Sequence, residues 1–342
     1  MAVGSFRPGY ARGVHPASDS APVRGRVAVV YNPIKVKVAK LRASVAAEER
    51  RSGWAESTWH ETAASDDGRA AAQEAASTTP DVVLIVGGDG TLRVAAEVLH
   101  TTGIPMALLP VGTGNLFARN LRLPLNDIDL SVRTAFTGAN RPIDIAFAEL
   151  EAEGQPPSRH AFLVMAGVGL DASMAANTNA RLKKRVGWLA YTDPIARSVF
   201  GNKQIDLSYR RDDEKRRSMA AHTVIVGNCG TLTANILLLP AAVPDDGILD
   251  AVAFRPRGGA GWTKIGYGLA FNRFFHRTAF GRFLALFLPT SRTLRYTTAR
   301  RLELRFARPE EIQLDGDPFG LVTAATLTVL HHGLTLRAPS PS

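Results

Sequence analysis

Two apolar strands, each ending in a glycine-rich turn and followed by a helical pattern, constrain the fold of this chain most. The first leads into Gly87-Gly88-Asp89-Gly90-Thr91 and the second into Pro110-Val111-Gly112-Thr113-Gly114-Asn115. Turns of this kind present backbone N–H groups and the positive end of a helix to a phosphate. A single crossover helix between them would place two phosphate cradles side by side. The pair therefore predicts a nucleoside triphosphate site.

Asp89 makes the first turn more informative than a glycine turn alone. A carboxylate among N–H groups that attract anions opposes phosphate binding, unless a metal ion or a transferable proton lies between the two charges. The alternative interpretation is that each glycine turn merely connects a strand to a helix.

The alternation of strands and helices before residue 142 predicts an α/β domain with a parallel sheet, whose ligands lie beyond the carboxyl ends of the strands. The strands are expected at 26–31, 55–62, 82–86 and 106–109, and the helices at 37–51, 66–77 and 92–100. After residue 143 strands dominate, which predicts a mostly antiparallel β-sandwich. Its strands are expected at 143–150, 161–166, 204–210, 222–227, 248–254, 293–298, 301–306 and 324–330.

We therefore divide the chain into four parts. Residues 1–25 form a disordered basic tail, 26–142 the α/β domain, 143–336 the sandwich domain and 337–342 a short tail. The last strand of the sandwich could pack back on the first domain, and a cleft between the domains is the natural place for an active site. An exposed strand edge in the second domain could pair two copies into a homodimer.

Composition restricts the compartment and the partner. The single cysteine, Cys229, excludes a disulfide framework and indicates a reducing compartment. The chain shows neither a signal-peptide pattern nor an apolar run of about eighteen residues, so we expect a cytoplasmic protein without a membrane-spanning helix. A formal net charge of +10 at pH 7 indicates an anionic partner or surface.

The charge is concentrated between residues 251 and 308, where Glu303 is the one acidic residue among twelve lysines and arginines. Large apolar residues, including Trp262 and Phe287, are interleaved with these cations. This pattern fits a surface lying against anionic lipid headgroups, and it fits a core helix with a solvated basic face equally well. Nucleic acid is not expected, because helix-turn-helix, zinc-ligand and RNA-binding aromatic signatures are absent.

Three later turns also carry carboxylates. Gly167-Val168-Gly169-Leu170-Asp171-Ala172 follows an apolar strand, and its acid is either a favourable helix N-terminal charge or part of a site. Pro244-Asp245-Asp246-Gly247-Ile248-Leu249-Asp250 offers oxygen ligands for a hard cation, or is an ordinary turn before a strand. Asp315-Gly316-Asp317 is either a common surface turn with two acids or, since it follows the end of an apolar strand, the place of a general base.

These motifs, taken in this order and spacing, resemble the diacylglycerol kinase catalytic family, which includes soluble bacterial lipid kinases and the sphingosine and ceramide kinases. The resemblance extends over residues 26–336. The first turn alone would also admit NAD kinases and phosphofructokinases. The Gly112-Thr113-Gly114-Asn115 turn and the late Asp-Gly-Asp separate the chain from both.

The resemblance implies an ATP site in the first domain, with a fold similar to that of NAD kinases and diacylglycerol kinases. Both turns would contribute to it. The nucleotide-binding residues expected are Asn32, Thr62, Gly87, Gly88, Asp89, Gly90, Thr91, Leu92, Arg93, Val94, Gly112, Thr113, Gly114 and Asn115.

The resemblance also implies the metal and catalytic groups. Asp89 matches an acid that organises the catalytic Mg²⁺ through water. Val243, Asp246 and Ile248 match a structural metal site of one carboxylate and two backbone carbonyls. Asp317 stands where the family usually has a Glu that takes the proton from the lipid hydroxyl.

Three departures from the family's pattern stand near this site. Arg93 and Val94 replace the usual Asn-Glu after the first turn, Leu116 replaces an Asp after the second, and Asp317 replaces the Glu. Arg93 could neutralise ATP phosphate directly or could be a solvent-facing helix residue.

The sequence therefore predicts an ATP-dependent lipid kinase with Mg²⁺, held peripherally at the inner face of the membrane. Diacylglycerol is the default lipid alcohol, with monoacylglycerol and sphingoid bases as alternatives. NAD kinase is the rival enzyme class, and a lipid- or nucleotide-binding regulator without turnover is the non-enzymatic alternative.

Overall fold

A computed structural model describes residues 25–63, 66–169, 204–232, 236–255 and 294–339. The first part of the chain alternates strands and helices, as expected from its apolar runs. Its elements are β1 (Val27–Tyr31), α1 (Val38–Ser52), β2 (Thr58–Glu61), α2 (Arg69–Ser77), β3 (Val82–Gly87), α3 (Asp89–Leu99), β4 (Met106–Pro110), α4 (Leu116–Asn120) and α5 (Ile128–Thr137).

The four strands of this part form a parallel sheet in the order β4-β3-β1-β2. All residues of β1, β3 and β4 are buried, which is typical of parallel strands covered on both faces. One core cluster packs α2 and α3 against the sheet, and another packs α1 and α5 against its opposite face. The carboxyl ends of all four strands therefore meet at one edge.

The second part is built of antiparallel strands around a separate apolar core. Its elements are β5 (Ala139–Glu151), β6 (Ser158–Phe162), β7 (Met165–Val168), β8 (Ile205–Arg211), β9 (Arg217–Ala221), β10 (Thr223–Gly227), β11 (Leu249–Phe254), β12 (Leu294–Ala299), β13 (Arg301–Leu314) and β14 (Asp317–Ala338). The α/β domain followed by a mostly antiparallel β-sandwich is the fold class that the sequence predicts.

The long strand β14 joins the two parts. It pairs antiparallel with β13 and β5 over most of its length, and Leu336 near its end pairs in parallel with Met106 of β4. The fourteen strands consequently belong to one continuous sheet. Among the described residues, no helix is long and apolar enough to cross a membrane.

Several elements differ from the sequence-based expectation. Helix α3 begins at Asp89 and not at residue 92, so that most of the first glycine turn is the opening turn of the helix. The strand expected at 161–166 is two strands, β6 and β7, and the patterns did not predict α5 or β9. Three predictions lie outside the described residues: positions 1–24 of the tail expected at 1–25, the helix start at Asp171, and the aromatic part of the basic stretch, including Trp262 and Phe287.

Candidate active site

Asp89 connects the two glycine turns of the first domain. Its carboxylate accepts hydrogen bonds from the backbone N–H groups of Leu116 (3.1 Å) and Phe117 (3.3 Å), which open α4 after the second turn. Burial raises the pKa of the Asp89 carboxyl, while these N–H groups oppose that rise. The two turns are therefore held together through one carboxylate whose charge is costly to keep.

The glycines of the turns are required for different reasons. A Cβ at Gly114 would lie 2.8 Å from Oδ2 of Asp89, and a Cβ at Gly87 would lie 2.7 Å from Cβ of Thr91. A Cβ at Gly88 would meet only the carbonyl oxygen of Val111, at 3.6 Å. Gly114 and Gly87 therefore serve the packing of the turns, whereas Gly88 leaves a bare backbone at the site.

Asn115 carries an unsatisfied group at the second turn. The residue is almost fully buried in a left-handed conformation (φ +47°), and its side-chain amide donates to the carbonyl of Gly112 at 3.1 Å. Its Oδ1 has no hydrogen-bond partner within the part of the chain that the structure describes. A buried orphan acceptor of this kind is costly in the free protein and can be satisfied by a donor from a ligand.

The other expected nucleotide-binding residues lie at the same edge of the sheet. Asn32 follows β1, and Oδ1 of its side chain accepts from the N–H of Ile34 at 3.0 Å. Thr62 follows β2, with its methyl group beside the Cα of Gly68 and near Thr91. Leu92 and Val94 point into the protein and are buried, so that any nucleotide contact there would come from their backbone.

Asp315 fixes the turn that carries Asp317. Asp315 and Gly316 both have positive φ (52° and 94°) between the paired strands β13 and β14, as a two-residue hairpin requires. The Asp315 carboxylate accepts from the backbone N–H groups of Leu163, Val164 and Met165 at 2.8–3.0 Å. Burial raises the pKa of Asp315 to about 6. These bonds also explain the break between β6 and β7, because they take the N–H groups of the connecting residues.

Asp317 reaches the first glycine turn from the second domain. A Cβ at Gly90 would lie 3.2 Å from Oδ2 of Asp317, and the charge of Asp317 contributes to the raised pKa of Asp89. The structure thus brings together two carboxylates that are 228 residues apart in the sequence. They stand on either side of the helix start where the phosphates of a nucleotide are expected.

Arg93 lies at the same junction and is buried. The residue is 5% exposed, and its guanidinium donates to Oδ2 of Asp317 at 3.1 Å. Its Cζ also stands 5.0 Å from the ring centre of Phe319. Of the two alternatives that the sequence left open for Arg93, the solvent-facing one is wrong, because α3 turns this side chain towards β14.

An open cleft of about 480 Å³ borders this pair. It lies between the start of α2, the middle of α3 and the start of β14. Its lining residues are Asp66, Asp67, Arg69, Arg93, Val94, Asp317, Pro318 and Phe319. A substrate in this cleft would lie beside the Asp317 carboxylate.

Carboxylates also cluster at the turn before β11. Burial and the neighbouring charges of Asp144 and Asp245 raise the pKa of Asp246, and burial together with Asp246 raises the pKa of Asp250 to about 6. A bound cation would relieve this mutual repulsion, so the donor set fits a hard cation. Asp246 also accepts from the N–H of Ile248 at 3.0 Å, which orders the turn.

The fully buried Asp144 was not singled out from the sequence. Its carboxylate accepts from the N–H of Gly247 (2.6 Å), from Nδ1 of His331 (2.9 Å) and from the N–H of His332 (2.8 Å). In the sequence, the adjacent pair His331-His332 is the signal that could have indicated this contact. Asp144 ties the turn of Asp246 to β14.

Comparisons with known proteins identify the family of both parts of the chain. The model of the diacylglycerol kinase catalytic domain matches residues 26–148, and that of the YegS C-terminal NAD kinase beta sandwich-like domain matches residues 163–336. A probable lipid kinase YegS-like of Pseudomonas fluorescens is 31% identical over 244 residues, which are 68% of this chain and 69% of that protein.

A diacylglycerol kinase of Bacillus subtilis is 33% identical over 170 residues, or 48% of this chain, and the match spans about half (53%) of that relative's length. Among solved structures, a diacylglycerol kinase from Bacillus anthracis superposes with a TM-score of 0.64 at 19% identity. That superposition covers 92% of this chain and 98% of the other, and it shows the shared fold.

Proposed function

This chain belongs to the diacylglycerol kinase catalytic family, a family of lipid kinases, and from that premise we propose that it transfers the γ-phosphoryl group of ATP to the hydroxyl of a lipid alcohol. Diacylglycerol is the acceptor that we propose first. The observation that supports this most is the meeting of Asp89 and Asp317 at the first glycine turn, with an open cleft beside Asp317.

The nucleotide would lie along the carboxyl edge of the parallel sheet. Bare backbone at Gly88 and the start of α3 suit phosphate oxygens, because the N–H groups and the helix dipole favour negative charge there. These features favour a nucleotide over an apolar ligand at this edge.

Mg²⁺ would be held near Asp89, where it would neutralise phosphate charge as the phosphoryl group moves. Asp89 itself keeps the two turns in register through its bonds to α4. We further propose a structural Mg²⁺ at Val243, Asp246 and Ile248, which the carboxylate cluster before β11 supports.

Asp317 would receive the proton in the transfer. As the lipid oxygen forms its bond to the γ-phosphorus, the hydroxyl proton moves to the Asp317 carboxylate, and the bond between the phosphorus and the bridging oxygen breaks to release ADP. The hairpin anchor at Asp315 would keep this carboxylate within reach of the hydroxyl. A displaced base would lose the alignment on which such a transfer depends.

Peripheral binding to an anionic membrane would bring the lipid to the cleft. The net charge of +10 supports this, because it attracts the chain to anionic headgroups. Within the described residues, the charge of Glu303 is already matched by Arg210, Arg216 and Arg301. Glu303, the one acidic residue between 251 and 308, therefore adds little uncompensated negative charge that would oppose such binding.

The test is transfer of radiolabelled γ-phosphate from ATP to diacylglycerol, monoacylglycerol, sphingosine, ceramide and NAD, the lipids being presented in mixed micelles. Asp89→Asn is the control. Label in one lipid that disappears with this variant would support the proposal and name the acceptor. Label in NAD would establish a soluble acceptor, and nucleotide binding without transfer to any acceptor would favour a regulator.

A further inference from the structure

We propose that Arg93 is a positioning residue for Asp317: its guanidinium holds the carboxylate that receives the acceptor's proton against the first glycine turn. This inference rests on the proposed function, since it assigns a role within the same transfer. It differs from the sequence-based interpretation in which Arg93 neutralises a phosphate of ATP.

The burial of Arg93 requires a partner for its charge. A guanidinium that is 5% exposed is stable only where a carboxylate or another acceptor compensates the lost hydration. In residues 25–63, 66–169, 204–232, 236–255 and 294–339, the carboxylate within ion-pair distance is that of Asp317, at 3.1 Å. The adjacent ring of Phe319, two residues further along β14, supports the guanidinium plane.

Asp317 needs this support because its side chain is about half exposed. The anchored hairpin at Asp315 fixes the backbone of Asp317, but a backbone does not choose the rotamer of a carboxylate at the rim of a cleft. One hydrogen bond from Arg93 to Oδ2 selects the rotamer that lies beside Gly90. The turn thus fixes the main chain and the guanidinium fixes the side chain.

The bond uses one carboxylate oxygen and leaves the other for substrate. Oδ1 of Asp317 has no hydrogen-bond partner among the described residues, and Nε of Arg93 makes no hydrogen bond there either. A two-bond fork would occupy both oxygens, whereas this single bond leaves Oδ1 available for a hydroxyl proton. The arrangement suits a base that is held and still reactive.

The lengths of the two side chains are complementary. In the pattern that the chain resembles, a short Asn and a long Glu stand at these positions, whereas here a long Arg meets a short Asp. The extra length of Arg93 bridges the gap that the missing methylene of Asp317 leaves. The two departures from the pattern thus meet in one contact.

The experiment is a double-mutant cycle on lipid phosphorylation with Arg93→Met, Asp317→Asn and the double variant. Met fills the buried volume without charge, so that the fold is retained. We expect R93M to lower kcat roughly 10- to 100-fold, within the range of a misplaced base, with the KM for ATP changed less than about threefold. The double variant should be no slower than D317N alone, because Arg93 acts through Asp317.

Arg69→Met is the matched control, since Arg69 lines the same cleft but pairs with Glu97 at 2.7 Å. The fold losses in kcat caused by R69M and by D317N should multiply in the double variant. Rescue gives a second readout. Arg93→Asn should have a low kcat, and combining R93N with Asp317→Glu should raise kcat at least about tenfold above that of R93N, which corresponds to about 1.4 kcal/mol in the activation free energy.

Two results would overturn the inference while the lipid kinase stands. One is a multiplicative loss in R93M/D317N, and the other is a large rise in the KM for ATP with R93M, which would make Arg93 a nucleotide ligand. A wild-type protein that phosphorylates no lipid would overturn the proposed function itself, and this inference with it.

Discussion

The carboxylate of Asp89, at the first residue of α3, accepts a 3.1 Å hydrogen bond from the backbone N–H of Leu116, at the first residue of α4. The starts of two helices therefore share one acid. Because the donor is a backbone group, the Leu side chain at position 116 does not weaken the contact. It packs against the core of the α/β domain instead.

Replacing Asp89 by Asn should abolish phosphoryl transfer without unfolding the protein. The change removes a charge and keeps the volume and one acceptor oxygen for the N–H of Leu116. Since burial raises the pKa of this carboxyl in the folded state, ionisation of Asp89 costs stability at neutral pH. We expect at least a 100-fold loss in kcat, of the order seen when a key electrostatic group is removed. The midpoint of thermal unfolding should not fall; a drop of more than about 5 °C would show that Asp89 mainly holds the fold.

Gly87→Ala and Gly88→Ala form a matched pair that separates packing from nucleotide binding. The Cβ of G87A would lie 2.7 Å from Thr91, which should cost about 1–3 kcal/mol in the free energy of unfolding. The Cβ of G88A would lie at an ordinary contact distance from the carbonyl oxygen of Val111. The stability of G88A should therefore stay near wild type, while its KM for ATP rises at least tenfold. Urea unfolding and steady-state kinetics measure the two effects. An unchanged KM in G88A would move the phosphates away from this turn.

Mg²⁺ should stabilise the wild-type protein through the carboxylate cluster before β11. Asp246→Ala should remove most of the increase in melting temperature that millimolar Mg²⁺ produces. Asp245→Asn is the control, because Asp245 pairs with Arg141 at 2.7 Å. It should keep the increase. Thermal unfolding with and without Mg²⁺ measures this increase. An equal increase in melting temperature in both variants would argue against a structural cation at Asp246.

Glu303 should make the stability depend on pH in the acidic range. Hydrogen bonds from Arg210 and Arg301 lower its pKa from 4.5 to about 2. A depressed folded-state pKa gives stability that is complete above pH 4.5 and is lost as the pH falls towards 2. Glu303→Gln should therefore destabilise the protein by about 1–3 kcal/mol at pH 7 and by progressively less below pH 4.5. A constant difference in unfolding free energy between pH 7 and pH 3 would contradict this.

The parallel-sheet domain was predictable because its signals are local. The apolar run before Gly87 and the one before Pro110 identify their strands directly, and the glycines mark where those strands end. The contact between the two domains at the candidate active site could not be predicted from local patterns. Arg93 and Asp317 are 224 residues apart, and their departures from the usual residue types could be noted one by one but not recognised as a contact.

Helix α5 shows a different limit of sequence-based prediction. It has an N-cap in Asp127, which accepts from the N–H of Leu130, but it follows a stretch without clear periodicity. Asp144 likewise follows an apolar position inside β5 and looks like an ordinary strand residue. Its burial follows from His331 and Gly247, which only the tertiary fold brings to it.

The length of β14 has a mechanical consequence. This strand starts at Asp317 in the cleft and ends beside β4, where Leu336 pairs with Met106. Pulling the two halves of the molecule apart would therefore bend a continuous ribbon or peel its end from the nucleotide-bearing sheet. Wide swinging of one half against the other is disfavoured, and so is independent folding of either half when expressed as a fragment.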